Sequence, residues 1–223
     1  MFEMKSDPRQ ILKSYLPESV VDEVYKSVLD HKVSLHFTRA RNSKLGDFRP
    51  AHAGKPHRIS LNHNLNPYEM LITWVHELAH LITFEKHGRQ HQPHGIEWKQ
   101  NFARLMVSFL HRGIFPDEIE EAIKYHVLIS KAANGSDLHL KRLLKAYDKP
   151  LDEHKTTIET LTEGSYFKVH DGRIFQKGQL LRKRFKCLCM NDKRFYLFSQ
   201  LAVVEPIGNE NPILSLYLTK KSS

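Results

Sequence analysis

The stretch Trp74-Val75-His76-Glu77-Leu78-Ala79-His80 constrains this chain more than any other. Leu71, Val75, Leu78 and Ile82 recur at three- and four-residue steps, the period of a helix with one buried side. Asn66-Pro67 offers a cap and a first-turn proline, and Gly88 offers a stop, so a helix is expected up to about His87. On such a helix His76 and His80 lie on one face, a turn apart, and both imidazoles reach one ion at roughly 2.0–2.1 Å. Glu77 stands beside the first ligand, near the ion but offset from it. This is the H-E-x-x-H pattern: two zinc ligands, and a carboxylate that takes a proton from zinc-bound water and passes it to a leaving amine.

A third ligand has to come from beyond the helix. His87 is on nearly the same face as His80 but about 10 Å further along the axis, too far for bonds near 2 Å. His91 and His94 lie in or after the loop 88–93, which can fold back. His94 is the better choice, because it stands just before an amphipathic helix expected over Ile96–Leu110, with Phe102, Leu105, Met106 and Phe109 on its buried side. Glu97 is the alternative ligand; otherwise it accepts a hydrogen bond from a ligand imidazole. One Zn2+ per chain is expected, held by His76, His80 and His94, with Glu77 as base.

At 223 residues the chain holds one sizeable domain, or one plus a small module. With 40% hydrophobic and 26% charged residues it has the composition of a soluble globular protein. No apolar run is long enough to span a membrane, and the N-terminus lacks a secretion-signal layout, so a cytoplasmic protein without membrane contact is expected. Cys187 and Cys189 are too few for a structural zinc ribbon and poorly spaced for a mutual disulfide; they read as small buried residues. The net charge is +9, which favours polyanions as partners, nucleic acid above all. It concentrates in two places. Residues 39–58 carry Arg39, Arg41, Lys44, Arg49, Lys55 and Arg58 against Asp47. Residues 177–194 carry seven bases against Asp192.

Before the motif, helices are expected over 11–16 and from Pro17-Glu18-Ser19 through Leu29, then a strand over 33–38, a basic loop over 39–55 and a strand over 57–62. In zinc peptidases an edge strand beside the motif helix holds extended substrate by main-chain hydrogen bonds, and 57–62 is the candidate. After it, a helix opens at Pro116 and carries Tyr125 and His126, either of which could stabilise an oxyanion although packing is the simpler role. Asn134-Gly135-Ser136 breaks it, and a short basic helix follows over 138–147.

The composition then changes. Residues 151–161 read as a polar linker between a domain over 1–150 and a small basic β module over 162–223. The module shows strands at 166–169, 173–176, 180–190, 195–199 and 201–204, with a type I′ hairpin turn at Asp171-Gly172. A small β-barrel or curled sheet is expected. Arg182, Lys183, Arg184 and Lys186 interleave with Phe185 and are the candidate nucleic-acid contacts.

The motif His76-Glu77-Leu78-Ala79-His80, the later His94-Gly95-Ile96-Glu97-Trp98 and the preceding Ile59-Ser60-Leu61-Asn62 together resemble the SprT-like zinc metallopeptidases, a family with bacterial SprT and Spartan-like branches. Metzincins would need Gly at position 83 and His at 86, where this chain has Thr83 and Lys86. The resemblance covers roughly residues 15–130. It implies an α+β zincin-like fold, zinc on His76, His80 and His94, Glu77 as general base, and a protein substrate; for Spartan-like members it implies proteins on or crosslinked to DNA. Related bacterial proteins carry a four-cysteine ribbon near the C-terminus, which this chain lacks. The alternative reading is a nucleic-acid-binding or transcription-associated factor with a non-catalytic zinc site.

Overall fold

The computed structural model describes residues 7–41, 43–129 and 138–208. The helix break expected at Asn134-Gly135-Ser136 lies outside them. The chain is α+β and divides into two compact units, residues 1–148 and 149–223. Among the described residues no helix is long and apolar enough to cross a membrane.

In the first unit, α1 (Pro8–Lys13) and α2 (Val21–Asp30) precede a three-stranded sheet. Strand β3 (Arg58–Asn62) is central, parallel to β1 (Ser34–Thr38) and antiparallel to β2 (Gly46–Arg49). The stretch expected as a basic loop therefore contains a strand. The strand expected at an edge is the middle one, and four of its five residues are buried, as a strand with neighbours on both sides should be. The edge beside the motif helix is β2. Half of the basic charge of residues 39–58 is also engaged internally. Arg41 donates to the Asn62 side-chain oxygen at 2.8 Å, and Lys44 and Arg49 both pair with Asp47.

Helix α3 (Pro67–His87) runs as its caps dictate. The Asn66 side chain accepts from the Glu69 N–H at 3.0 Å, and the helix stops at Gly88, whose φ of 59° few side chains tolerate. The expected apolar residues Leu71, Val75, Leu78 and Ile82 are all buried, with Trp74 and Leu81 beside them. Helix α4 (Ile96–Val107) packs along α3; α5 (Asp117–Lys124) continues into a π-helical turn over Tyr125–Ile129. Helix α6 (Leu138–Lys145) is tied back to the start of α3. The Asn66 amide donates to Leu144 O and to an Asp148 carboxylate oxygen, and Tyr147 meets Tyr68 edge-on at 5.0 Å.

Among the described residues the second unit is an open sheet of seven strands, not the closed barrel expected as one possibility. Its order is β4 (Thr156–Thr157), β10 (Val203–Ile207), β5 (Tyr166–Lys168), β6 (Ile174–Gln176), β8 (Arg184–Cys189) and β7 (Leu180–Leu181), with β9 (Phe195–Ser199) on the other side of β8. The stretch expected to be a linker joins this sheet. Thr156-Thr157 pairs with β10, and Ile158 is fully buried in the core with Phe167, Phe175, Cys187 and Cys189. Threonine suits an edge strand as well as a linker, so its polarity misleads. Both cysteines are free and buried, as the small-residue reading requires. The turn after β5 is not type I′. Gly172 has φ +85° while Asp171 does not turn positive, because the Asp171 side chain accepts from the Arg173 N–H at 3.0 Å and shapes the turn instead.

Candidate metal centre

The three histidines singled out by the motif converge. His76 Nε2 and His80 Nε2 are 3.3 Å apart, and His94 Nε2 is 3.1 Å from each. An ion bonded to three nitrogens at 2.0–2.1 Å with tetrahedral angles requires them about 3.3 Å apart. The triangle fits that requirement with only slight opening. Three ring nitrogens facing one point would repel one another through their lone pairs without a shared cation, so the donor set itself argues for a metal. Among the described residues these three form the one group of histidine, cysteine and carboxylate side chains close enough to hold an ion. Glu97, the alternative ligand, is not in the group, and His91 instead lies 2.9 Å from Gly88 O through Nδ1.

Each ligand is placed by a different device. His76 and His80 come from the α3 spacing. His94 adopts φ 58°, a left-handed turn that swings its ring back onto α3 just before α4 begins. Burial, with the neighbouring imidazoles, pushes His76 down to about 3 and His80 to about 4; His94 is lowered too, chiefly by burial. All three rings are neutral near pH 7, the state a metal ligand needs.

Trp98 is the residue whose part the sequence did not disclose. It is fully buried, and its ring centroid lies 4.7, 5.2 and 4.6 Å from those of His76, His80 and His94. Phe102 stacks on it at 5.1 Å with 7° between planes and also meets His76 at 6.1 Å. The indole is thus a floor against which all three imidazoles rest. One turn past His80, a buried polar link holds α4 to α3. The Asn101 amide donates to Thr83 Oγ1 at 2.9 Å, and Thr83 Oγ1 donates to Ala79 O at 2.7 Å.

Glu77 is buried beside the triangle, and its carboxyl is pushed up to about 7, first by burial and then by Asp47. The Phe48 N–H on the β2 edge donates to it and acts the other way. Gly46, also on β2, sits so close that a Cβ there would lie 2.6 Å from Glu77 Oε1 and 2.8 Å from Thr73 Cγ2. Only a glycine lets the strand approach α3 this nearly. Nothing in the spacing of the sequence marked Gly46; a glycine inside a strand is the general signal of close backbone approach.

The triangle and Glu77 open on a cavity of about 530 Å³ that runs along α3 between β2, α4, the π-helical turn and α6. Of the two residues considered for oxyanion stabilisation, His126 is buried and lines this cavity, whereas Tyr125 is exposed and does not.

The candidate nucleic-acid residues are placed differently from expectation. Arg182 and Lys183 form the turn of a β7–β8 hairpin, with Arg182 at φ 52°, rather than lying in one long strand. Arg184 and Lys186 are exposed on the outer face of β8. Phe185 points the other way, against the core, under the Lys177 ammonium at 4.1 Å. The aromatic exposed on the basic face is Phe195, with Lys186 Nζ 4.2 Å from its ring centre.

With this geometry in place, comparison with known proteins gives one match. The model of the SprT-like family fits residues 18–121, which include the motif, His94 and Trp98. No curated protein and no solved structure matches the chain. The family points to zinc as the ion for a three-histidine site.

Proposed function

With residues 18–121 a SprT-like segment, we propose that the protein is a zinc-dependent endopeptidase that acts on proteins associated with DNA. The observation that carries the reading is the nitrogen triangle of His76, His80 and His94 with Glu77 beside it. Three protein ligands leave a coordination place open, as catalytic zinc sites do and structural ones do not. Zinc bound there would supply a polarised carbonyl and a water acidic enough to attack near neutral pH.

The chain's own residues do the rest. Glu77 stands beside the open coordination place, so it takes a proton from the attacking water and gives it to the leaving amine. The Phe48 N–H on β2 favours the ionised form of this carboxyl against the effect of burial. Strand β2 is the sheet edge next to Glu77, and it takes over the part expected of residues 57–62, main-chain pairing with an extended substrate, through groups other than the Phe48 N–H. Trp98 keeps the three rings aimed while substrate enters and product leaves.

Support for the DNA association is separate. The outer face of β8–β9 sets Arg184, Lys186 and Phe195 side by side, with Arg182 and Lys183 in the adjoining turn. Cations beside an exposed ring suit the backbone and bases of a single strand. The reduced, buried Cys187 and Cys189 suit a cytoplasmic setting.

One experiment with three proteins tests both parts. The zinc-loaded wild type, Glu77→Gln, and a triple reversal of Arg182, Lys183 and Arg184 to Glu are given a DNA-binding protein, with and without DNA. Glu77→Gln should keep one zinc per chain and lose about 10²–10⁴-fold in cleavage rate. The triple variant should cleave without DNA as the wild type does but lose polynucleotide affinity, with a shallower salt dependence. Full cleavage by Glu77→Gln would overturn the peptidase reading. Unchanged affinity of the triple variant at low salt would remove the nucleic-acid face.

A further inference from the structure

The cavity beside the metal centre has a second polar end that hydrolysis does not use. Glu69 lies on α3, seven residues before His76, about 10 Å along the helix axis. Its side chain lines the cavity. Its carboxylate makes no hydrogen bond and no close ion pair among the described residues; Lys141 and Lys145 act on it only at longer range. It occupies the third helical position, from which a glutamate often reaches back to the cap N–H, yet here the side chain forgoes that bond. A half-buried carboxylate that faces a cavity with no donor beside it can be completed by a ligand that brings a cation.

Much of the lining is apolar: Ile72 from α3, Ile123 and Val127 from α5 and the π-helical turn, Leu140 and Leu144 from α6, with Thr73 and His126 among its polar members. The shape is a greasy passage with histidines at one end and an unpaired carboxylate at the other. Four of those five wall residues, and Lys141 at the exposed rim, lie beyond the segment that matches the family. This end of the cavity joins Glu69 and Ile72 of the matched segment to residues that follow it.

We infer that Glu69 and the α6 wall form a subsite for a lysine or arginine side chain standing next to the scissile bond of the substrate. A long basic stem beside the scissile bond points along this cavity, and the Glu69 side chain reaches towards it from α3. Its methylenes pack on the Ile72, Val127 and Leu144 surfaces, and its cation meets the carboxylate, the arrangement long basic side chains adopt wherever apolar surface ends in an acceptor. The proposal rests on the peptidase reading, because it assigns what that site cuts.

The test uses two quenched-fluorescent peptides that differ at one internal position, lysine in one and norleucine in the other. Norleucine keeps the stem and removes the charge. The zinc-loaded full chain should favour the lysine peptide in kcat/KM about tenfold or more, the yield of one charge-assisted hydrogen bond, with the cut beside the lysine by mass spectrometry. Glu69→Gln should bring the ratio to near one. Because the ratio is taken within each protein, partial loss of folded material does not affect it. Lys141→Ala, which removes a competing ammonium from an exposed position, should raise it. No preference in the wild type, or a preference that survives Glu69→Gln, overturns the subsite. If neither peptide is cut, the peptidase reading has failed, and fluorescence anisotropy decides the subsite alone. Tighter binding of the lysine peptide that Glu69→Gln abolishes upholds it; equal binding of the two peptides overturns it.

Discussion

Helix α3 carries two carboxylates eight residues apart, Glu77 buried and Glu69 half-buried, and their surroundings differ in an instructive way. Glu77 and Glu69 are both pushed up to about 7, in each case by burial first and by a neighbouring aspartate second: Asp47 for Glu77, Asp148 for Glu69. By acidity alone they are twins. By hydrogen bonding and packing they are opposites. Glu77 is held by the Phe48 N–H and pressed by Gly46, among imidazoles resting on Trp98. Glu69 opens on the cavity with no donor. A perturbed carboxylate thus marks a functional region, but its contacts say which kind: a pinned group suits proton transfer, an open one suits capture of a charge.

The largest effect should come from removing what makes the metal end rigid. Trp98→Ala empties a fully buried indole-sized space beneath three ligands, which should cost about 3–5 kcal/mol of stability and weaken zinc binding. Trp98→Phe, which keeps an aromatic floor, should recover much of both. Denaturant unfolding and competition with a zinc-chelating dye measure the two quantities. If zinc affinity is unmoved in Trp98→Ala, the floor is packing only, and the contrast between the two ends of α3 loses one of its terms.

A smaller effect is expected from Gly46→Ala. The added methyl would sit 2.6 Å from Glu77 Oε1 and 2.7 Å from Glu77 Cγ, so either the carboxylate swings off the Phe48 N–H or β2 lifts. Either shift misplaces the base by about an ångström, worth roughly 10²-fold in kcat. Zinc content should not change, because no ligand is touched. A variant that keeps kcat within a few fold would show that the pinning of Glu77 is incidental.

Much of this site was legible because a helix converts spacing into geometry. Positions 76 and 80 must share a face, and a histidine before a packed helix is a natural third ligand, so the triangle follows from the period of the chain. The fold was legible where one period or one cap decides: α3 from Asn66 to Gly88 and the buried Leu71, Val75, Leu78 and Ile82. What sequence order hides is lateral contact. β2 escaped because its four residues contain Gly46, Asp47 and Arg49, none of which signals a strand, and because pairing with β3 is a tertiary choice. Trp98 and Gly46 escaped for the same reason: their parts are set by what lies across from them. The basic stretches show the limit of adding charges. Arg41, Lys44 and Arg49 are engaged within the first unit, while Arg184 and Lys186 face solvent in the second.

The smallest effect sharpens the comparison most, since it concerns the end of α3 with no partner. Glu69 has its pKa raised from 4.5 to about 7, so the folded protein holds its proton more tightly than the unfolded chain does. Its contribution to stability is therefore fully present below pH 4.5 and is lost as pH rises through about 7, where folding must bury a charge. Glu69→Gln carries no charge at any pH. The stability difference between variant and wild type should be near zero at pH 4 and should grow to about 2 kcal/mol in favour of the variant by pH 8. Both proteins keep every other ionisable side chain, so the difference reports the loss of the Glu69 charge together with its repulsion from Asp148 and its attraction to Lys141 and Lys145. Unfolding in urea at several pH values, with zinc held saturating, gives the curve. A variant less stable than the wild type at pH 8 would mean that the carboxylate already has a partner in the folded chain, and the distinction between the pinned and the open glutamate would fall. A gain of the expected size would make Glu69 a residue that weakens the fold, which is what a group kept for its ligand should do.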